Sequence, residues 1–181
     1  DLQQYFYTKN TADLLVRAIL NHFDHDKDRL EKECALLCAP SLAEIFHHEY
    51  DMDLTLLDID TRFDYLPGYQ HFDLLAPKRP AKPYSLIVFD PPYFGIEPAA
   101  LRKAVETIST ASTRLLVSFI RREEQRLFAA FPSLSLTNTV MQYDRVRESK
   151  WSNYGLYSNC DLLAIKRVGK KKTEGKKANC K

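Results

Sequence analysis

Residues 84–93 run Tyr-Ser-Leu-Ile-Val-Phe-Asp-Pro-Pro-Tyr. Tyr84 to Phe89 is an almost wholly apolar run of strand length, the pattern of a strand covered on both faces. It leads straight into Asp90, followed by two prolines and an aromatic residue. Pro91 confines Asp90 to extended backbone, and Pro92 does the same to Pro91. Neither proline has an N–H, so the turn offers only hydrogen-bond acceptors. A buried strand delivering an acid at its carboxyl end is what the open edge of a parallel α/β sheet needs to hold a ligand.

Working outward, the rest of the chain alternates in the same manner. Leu14, Leu15, Ala18, Ile19 and Phe23 recur at helical spacing, so Thr8 to Phe23 reads as an amphipathic helix capped by Asn10 or Thr11. The charged stretch Asp24 to Glu33 reads as a connector. Cys34 to Cys38 is a short buried strand whose two thiols would share a face. Pro40 opens a helix through His47. Leu54 to Leu57 is a second strand ending in acids, and Phe72 to Leu75 a short third one. After a proline- and lysine-rich loop and the strand already described, Pro98 to Thr110 is helical, Arg114 to Phe119 a strand and Arg121 to Phe131 a helix. Leu134 to Tyr143 and Asn159 to Lys166 are expected to pair as a terminal antiparallel hairpin. The predicted fold class is therefore α/β, a Rossmann-like sheet, mostly parallel with an antiparallel C-terminal hairpin and helices on both faces.

The 181 residues fit one domain with a sizeable core. No apolar run approaches the roughly 20 residues that span a bilayer. The start lacks a signal-peptide layout, and Asp1 in place of Met reads as the beginning of an excised domain. Cys34, Cys38, Cys160 and Cys180 have no zinc-ligand spacing. They read as reduced thiols in a cytoplasmic or nuclear protein, with no metal. The net charge of +2 conceals an asymmetry: Lys166 to Lys181 holds eight basic residues and one acid, leaving 18 basic and 23 acidic residues in the body, a balance of −5. Residues 1–167 are expected to form the domain and 168–181 a basic, disordered tail. Such a tail holds nucleic-acid phosphates by counterion release, or is simply solvated.

Asp90, Pro91, Pro92 and Tyr93 are the candidate catalytic set. The Asp90 carboxylate and the Pro91 carbonyl can converge on a group carrying two N–H bonds, such as an exocyclic amine. Its lone pair is delocalised into the ring. Acceptors on both hydrogens favour a pyramidal nitrogen and stabilise the positive charge that develops as it attacks a methyl group. Tyr93 offers a ring on which an extruded or single-stranded base stacks. The alternative is a rigid turn in which Asp90 merely caps the next helix.

Four stretches in order resemble the family of probable N6-adenine methyltransferases: Gln4-Tyr5-Phe6-Tyr7-Thr8, Leu37-Cys38-Ala39-Pro40-Ser41, Leu57-Asp58-Ile59-Asp60 followed by Arg62-Phe63, and Asp90-Pro91-Pro92-Tyr93. The resemblance that rests on them runs over most of Gln4 to Asp161. The resemblance implies S-adenosylmethionine as methyl donor. It places Ala39, Pro40 and Ser41 in the turn beneath that cofactor, where the glycine-rich loop of most Rossmann methyltransferases is missing. Helix N-terminal amides after Pro40 suit the methionine carboxylate. Asp58 or Asp60 is expected to accept from the ribose hydroxyls. Phe72 and Asp73 resemble the positions that read the cofactor adenine, and Gln4 and Tyr5 those that close over the site.

Members of that family modify adenine or lysine, so the acceptor stays open between them. Phe94 adds an aromatic beside the tetrapeptide. Lys78 and Arg79 in one loop, and Arg145, Lys150, Trp151, Asn153 and Tyr154 in another, have the basic-and-aromatic composition of a single-strand groove. These residues favour adenine in DNA or RNA. The acidic body favours a protein lysine on a translation factor. A methyltransferase-like module without catalysis is the reading of a different class.

Overall fold

In a computed structural model, residues 6–93 and 95–168 are described. Seven strands form one sheet in the order β3-β2-β1-β4-β5-β7-β6. In chain order these are β1 (Cys34–Leu37), β2 (Thr55–Asp58), β3 (Tyr69–His71), β4 (Leu86–Phe89), β5 (Arg114–Ile120), β6 (Ser135–Val140) and β7 (Tyr154–Ser158). The first five run parallel, and β7 lies antiparallel between β5 and β6. The expected Rossmann-like sheet with a reversed C-terminal hairpin is thus present.

The alternation of side chains along each strand divides the core in two. Leu36, Leu56, Val88 and Leu116 pack on one face with Leu15 and Ile19 of α1 (Lys9–His22), Leu30 of α2 (Lys27–Glu33) and Phe46 of α3 (Pro40–Tyr50). Leu37, Leu57, Ile87, Phe89 and Val117 pack on the other face with Leu101 and Val105 of α4 (Pro98–Ile108) and Leu127 of α5 (Glu124–Ala130). Each such side chain taken fully out of water stabilises by about 1.5–3 kcal/mol. A one-residue slip of any central strand would exchange the two faces. Among the described residues no helix is long and apolar enough to cross a membrane.

Several boundaries differ from expectation. Thr8 caps α1, its hydroxyl accepting from the Thr11 amide. The charged connector contains α2, capped by Asp26. It buries only Leu30, so it shows no apolar stripe. The third strand lies at Tyr69–His71, not Phe72–Leu75, and is an edge strand of half-buried and exposed residues. Phe72 to Leu75 instead turns away from the sheet end. The last strand is Tyr154–Ser158 rather than Asn159–Lys166. Residues 166–168 still meet β6 on its outer edge, through the Asn138 amide to the Lys166 carbonyl at 2.8 Å and the Val168 amide to the Leu136 carbonyl at 2.7 Å.

Cys34 and Cys38 do not share a face. Cys34 packs with the α1 side and Cys38 with the α4 side, because β1 ends at Leu37 and Cys38 adopts a left-handed conformation at φ 54°. That turn sends the chain into α3, over the carboxyl end of the sheet, where glycine would ordinarily sit.

Candidate active site

Asp90 directly follows β4, and its amide donates to the Leu37 carbonyl at 3.0 Å, extending the β1–β4 ladder by one residue. The backbone of the acid is therefore fixed by the two central strands. It caps no helix: α4 begins eight residues later at Pro98, with Glu97 at its N-cap. Pro91 is buried, Asp90 and Tyr93 half-buried, and Pro92 exposed.

The partners of the Asp90 carboxylate are hydroxyls. Tyr93 donates to Oδ1 at 2.7 Å and Tyr143 to the same atom at 3.1 Å. Tyr7 also donates to this carboxylate. Ser118 joins the cluster, its Oγ 2.8 Å from the Tyr93 hydroxyl and in contact with that of Tyr143. Burial pushes the Asp90 carboxyl up to about 6, against the pull of these hydroxyl donors in the other direction. Burial, reinforced by the Asp90 charge, raises all three phenols well above the usual tyrosine range. They therefore act as neutral donors and Asp90 as the one group that changes charge.

Three segments converge to make this cluster. The antiparallel bridge Tyr7–Tyr143 docks residues 6–8 along 142–144, with the Thr8 amide on the Gln142 carbonyl at 3.0 Å and the Asp144 amide on the Phe6 carbonyl at 3.0 Å. Tyr154, at the start of β7, packs on Tyr93 with ring centroids 5.6 Å apart and on Tyr143 at 5.1 Å. On its other side Tyr93 meets Phe119 edge-on at 6.0 Å. There it borders a pocket of about 240 Å³ whose walls include Gly95, Ile96, Phe119, Arg122 and Arg126. Tyr93 thus separates the carboxylate from a cavity large enough for one planar base.

The other candidates distribute as follows. Ala39 precedes α3 without a side-chain cap, Pro40 is its first residue, and Ser41 follows on the first turn. Cys38, whose thiol burial and the charges of Asp58 and Asp90 push up, lies between the two acids. Asp58 ends β2, is 4% exposed and accepts the Asp60 amide at 2.8 Å. Burial raises its carboxyl. Asp60 caps the turn at 61–63 and takes the Arg62 guanidinium Nε at 2.9 Å on both oxygens, which lowers its carboxyl. Phe72 is buried, its amide donating to the Asp58 carbonyl at 2.9 Å. Asp73 is half-buried and caps its own turn through the Leu75 amide at 2.8 Å.

Lys78 and Arg79 are exposed in the loop that crosses from the carboxyl end of β3 to the amino end of β4, where the Tyr84 amide meets the Ile108 carbonyl. Arg145, Lys150 and Asn153 are exposed on the β6–β7 connection. Trp151 spends its indole N–H inside that connection, on the Val146 carbonyl at 3.0 Å and the Tyr143 carbonyl at 3.3 Å. Gln4, Tyr5, Phe94 and residues 169–181, which carry most of the basic tail, lie outside the described residues. Among the described residues no group of three or more His, Cys, Asp or Glu is placed to hold a metal ion.

Reading the sequence missed Tyr7 as a donor, Ser118, Tyr143 and Ile59. Ser118 had a visible signal, being the one polar residue inside Leu115–Ile120. Ile59 is an apolar residue left 44% exposed between Asp58 and Asp60, a surface suited to a nucleobase face.

A sheet of this order, with a single reversed strand and its acids at the carboxyl ends of β2 and β4, is the Rossmann-like sheet of the methyltransferase class. Over residues 1–162 the chain matches the family described as Probable N6-adenine methyltransferase, and it belongs to that family. No curated protein sequence matches it. Among solved structures, protein 1320 of Thermoplasma acidophilum superposes with a TM-score of 0.53 at 13% identity, covering 94% of this chain and 93% of that one. TrmN from Thermus thermophilus gives a TM-score of 0.51 at 13% identity over 85% of this chain and 48% of the other, so the chain spans about half the length of TrmN. At such identities the likeness is one of fold.

Proposed function

We propose that the protein methylates an exocyclic amino nitrogen held against Asp90, adenine N6 in DNA or RNA being the acceptor the site suits best. The observation that carries this reading is the position of Tyr93, with its hydroxyl on Asp90 Oδ1 and its ring bordering the pocket at Phe119. A base entering that pocket meets the Tyr93 ring, and the carboxylate that would accept its N–H lies behind that ring, on the Tyr93 hydroxyl. Stacking of this kind is worth about 1–3 kcal/mol per base.

The described residues fit the cofactor. The left-handed turn at Cys38 opens α3 without a side-chain cap, which leaves its first turn to a carboxylate ligand. Asp58 is the ribose acceptor, because Asp60 is committed to Arg62. Ile59, 44% exposed, offers apolar surface to the adenine, and the buried Phe72 backs the site from the core. Bound there, S-adenosylmethionine would supply an electrophilic methyl group on a sulfur able to leave as a neutral thioether. The chain's part is to orient the amine, to accept its hydrogens on Asp90 and Pro91, and to exclude water with Tyr93, Tyr143 and Tyr154. The amine nitrogen loses one proton in exchange for the methyl group. Asp90, with its carboxyl near 6, can take that proton and return it to solvent.

Lysine in a protein is the second acceptor, favoured by the −5 balance of the body and by the ring-lined carboxylate, which suits an amine.

Incubation with labelled cofactor and separate DNA, RNA and cytosolic protein pools tests the assignment. Label in nucleic acid, recovered as methylated adenine and absent with Asp90→Asn, is the expected result. Label confined to protein would overturn the adenine assignment. No heat on titration with S-adenosylmethionine would reduce the protein to a module without catalysis.

A further inference from the structure

The Asp90 carboxylate is held from one side by side chains that no methyl-transfer step requires. Tyr143 is fully buried, yet its hydroxyl sits 3.1 Å from Asp90 Oδ1 and in contact with Ser118 Oγ. Ser118, on β5 directly beside β4, is 1% exposed. A buried serine in an otherwise apolar strand sacrifices packing and must be hydrogen-bonded. It spends its hydroxyl on Tyr143 and Tyr93.

Tyr143 is itself clamped. Its backbone bridges Tyr7, its carbonyl receives the Trp151 indole N–H at 3.3 Å, and its ring packs between those of Tyr7 at 5.5 Å and Tyr154 at 5.1 Å. Three parts of the chain thus combine to fix one phenol against one carboxylate.

Resting on the assignment of Asp90 as the amine acceptor, we propose that Tyr143, seated by Ser118, is the positioning residue that fixes the rotamer of the Asp90 carboxylate, leaving the Tyr93 hydroxyl as the exchangeable donor that the acceptor amine displaces. The two hydroxyls touch each other as well as Oδ1, but their surroundings differ. Tyr93 is half-buried, borders the pocket and belongs to the turn itself, whereas Tyr143 has no exposed surface. Oδ1 accepts from both. An incoming N–H can replace only the donor that has somewhere to go, and the pocket lies on the Tyr93 side. The hydroxyls of Tyr143, Ser118 and Tyr93 close a ring on the carboxylate, and Tyr143 and Ser118 are its fully buried members. Preorganisation of this kind costs no rearrangement as the reaction occurs.

The groups facing Asp90 that titrate are Tyr7, Tyr93, Tyr143 and Cys38, and burial keeps each of them neutral through the acidic range. A change in the acid limb therefore reports Asp90. Tyr143→Phe keeps the ring packing and removes the donor, and Ser118→Ala removes the hydroxyl on which Tyr143 and Tyr93 both rest. Both are expected to lower kcat by about 10- to 100-fold, the range for one hydrogen bond to a charged group. Acceptor KM should change much less, and the affinity for S-adenosylmethionine by less than about twofold. The acid limb of kcat/KM should move to higher pH, by up to about one unit, because a donor to the ionised carboxylate is gone. Carbon-13 NMR titration of Asp90 in the cofactor-bound full chain reads the same shift with no acceptor present. The double variant should be no worse than Tyr143→Phe alone.

Wild-type kcat and an unmoved Asp90 titration in Tyr143→Phe would overturn the proposal, as would a loss explained entirely by lowered thermal stability. Asp90→Asn separates the two levels. If it is inactive while Tyr143→Phe is normal, only the positioning role fails. If it retains full activity, the role of Asp90 itself fails.

Discussion

The Tyr93 hydroxyl donates to Asp90 Oδ1 at 2.7 Å while its ring meets Phe119 edge-on at 6.0 Å. One side chain therefore serves the carboxylate with its tip and the pocket with its body, and the two contributions can be separated by mutation. Tyr93→Phe keeps the ring and releases a lone pair on Asp90 that the acceptor would otherwise have to win from the hydroxyl, so methyl transfer should fall by no more than about tenfold. Tyr93→Ala removes the stacking surface as well and should cost a further factor of about 5–150 in kcat/KM. Equal losses in the two variants would show that the ring does not stack on the acceptor.

Asp58 and Asp60 are two residues apart and nearly equally buried, yet their surroundings assign them different work. Asp60 is locked to Arg62 and to the turn at 61–63, whereas Asp58 ends β2 with backbone amides as its hydrogen-bond donors. Asp58→Ala is expected to weaken S-adenosylmethionine binding by about 10- to 100-fold in calorimetry, as the loss of hydrogen bonds to a charged group predicts. Asp60→Asn should chiefly loosen the turn and leave affinity within a few-fold. The reverse order would exchange the roles.

Much of this was legible in the sequence wherever burial and periodicity agree. The strand before Asp90, the helices around Leu15 and Leu101, and the parallel class of sheet follow from apolar runs that pack on both faces. What escaped was local or distant in sequence. Tyr69–His71 has no apolar run because it is an edge strand, so the adjacent Phe72–Leu75 attracted the assignment. Tyr154–Ser158 was obscured by Gly155, whose added Cβ would lie 2.9 Å from Leu136 Cδ1. The acid at the site was visible from its strand and prolines. Its donors Tyr7, Ser118 and Tyr143 lie 25 or more positions from it, and no periodic pattern joins them.

Gly68 shows the same closeness between strands in more severe form. An added Cβ would stand 2.0 Å from the Leu54 carbonyl oxygen, and the Gly68 carbonyl receives the Leu56 amide at 2.9 Å. Gly68→Ala must push β3 away from β2. It should destabilise by about 2 kcal/mol, the usual cost of overpacking, and lower Tm by roughly 4–8 °C for a domain of this size. An unchanged Tm would show that the β2–β3 edge yields freely.

Cys38 occupies a left-handed backbone at φ 54° immediately after β1. A side chain there costs roughly 1–2 kcal/mol that glycine avoids, although glycine regains part of that as entropy in the unfolded chain. Cys38→Gly is therefore expected to leave stability unchanged or raise it slightly, while Cys38→Val should lower it by more than about 1 kcal/mol, since a β-branched residue tolerates positive φ poorly. Denaturant titration of both variants decides the point: a stable Val variant would mean that the turn relaxes to another conformation.

The Asp90 carboxyl, raised from 3.8 to about 6 by burial, makes stability depend on pH in a definite direction. In the unfolded chain the carboxyl ionises near its ordinary value, so between about pH 4 and 6 the native state binds more protons than the unfolded one. The contribution is fully present below about pH 4 and is lost as pH rises through 6. For a half-buried group the loss should be on the order of 2 kcal/mol, somewhat less than the full shift would give. Asp90→Asn keeps an acceptor for Tyr93 and Tyr143 but cannot ionise, so the variant should gain on the wild type steadily from pH 4 to 7 and then run parallel to it. Urea unfolding at intervals across that range measures the difference directly, with every other carboxyl cancelling between the two proteins. Curves that stay parallel throughout would mean that the acid ionises normally in the fold, and that the hydroxyls around it outweigh its burial.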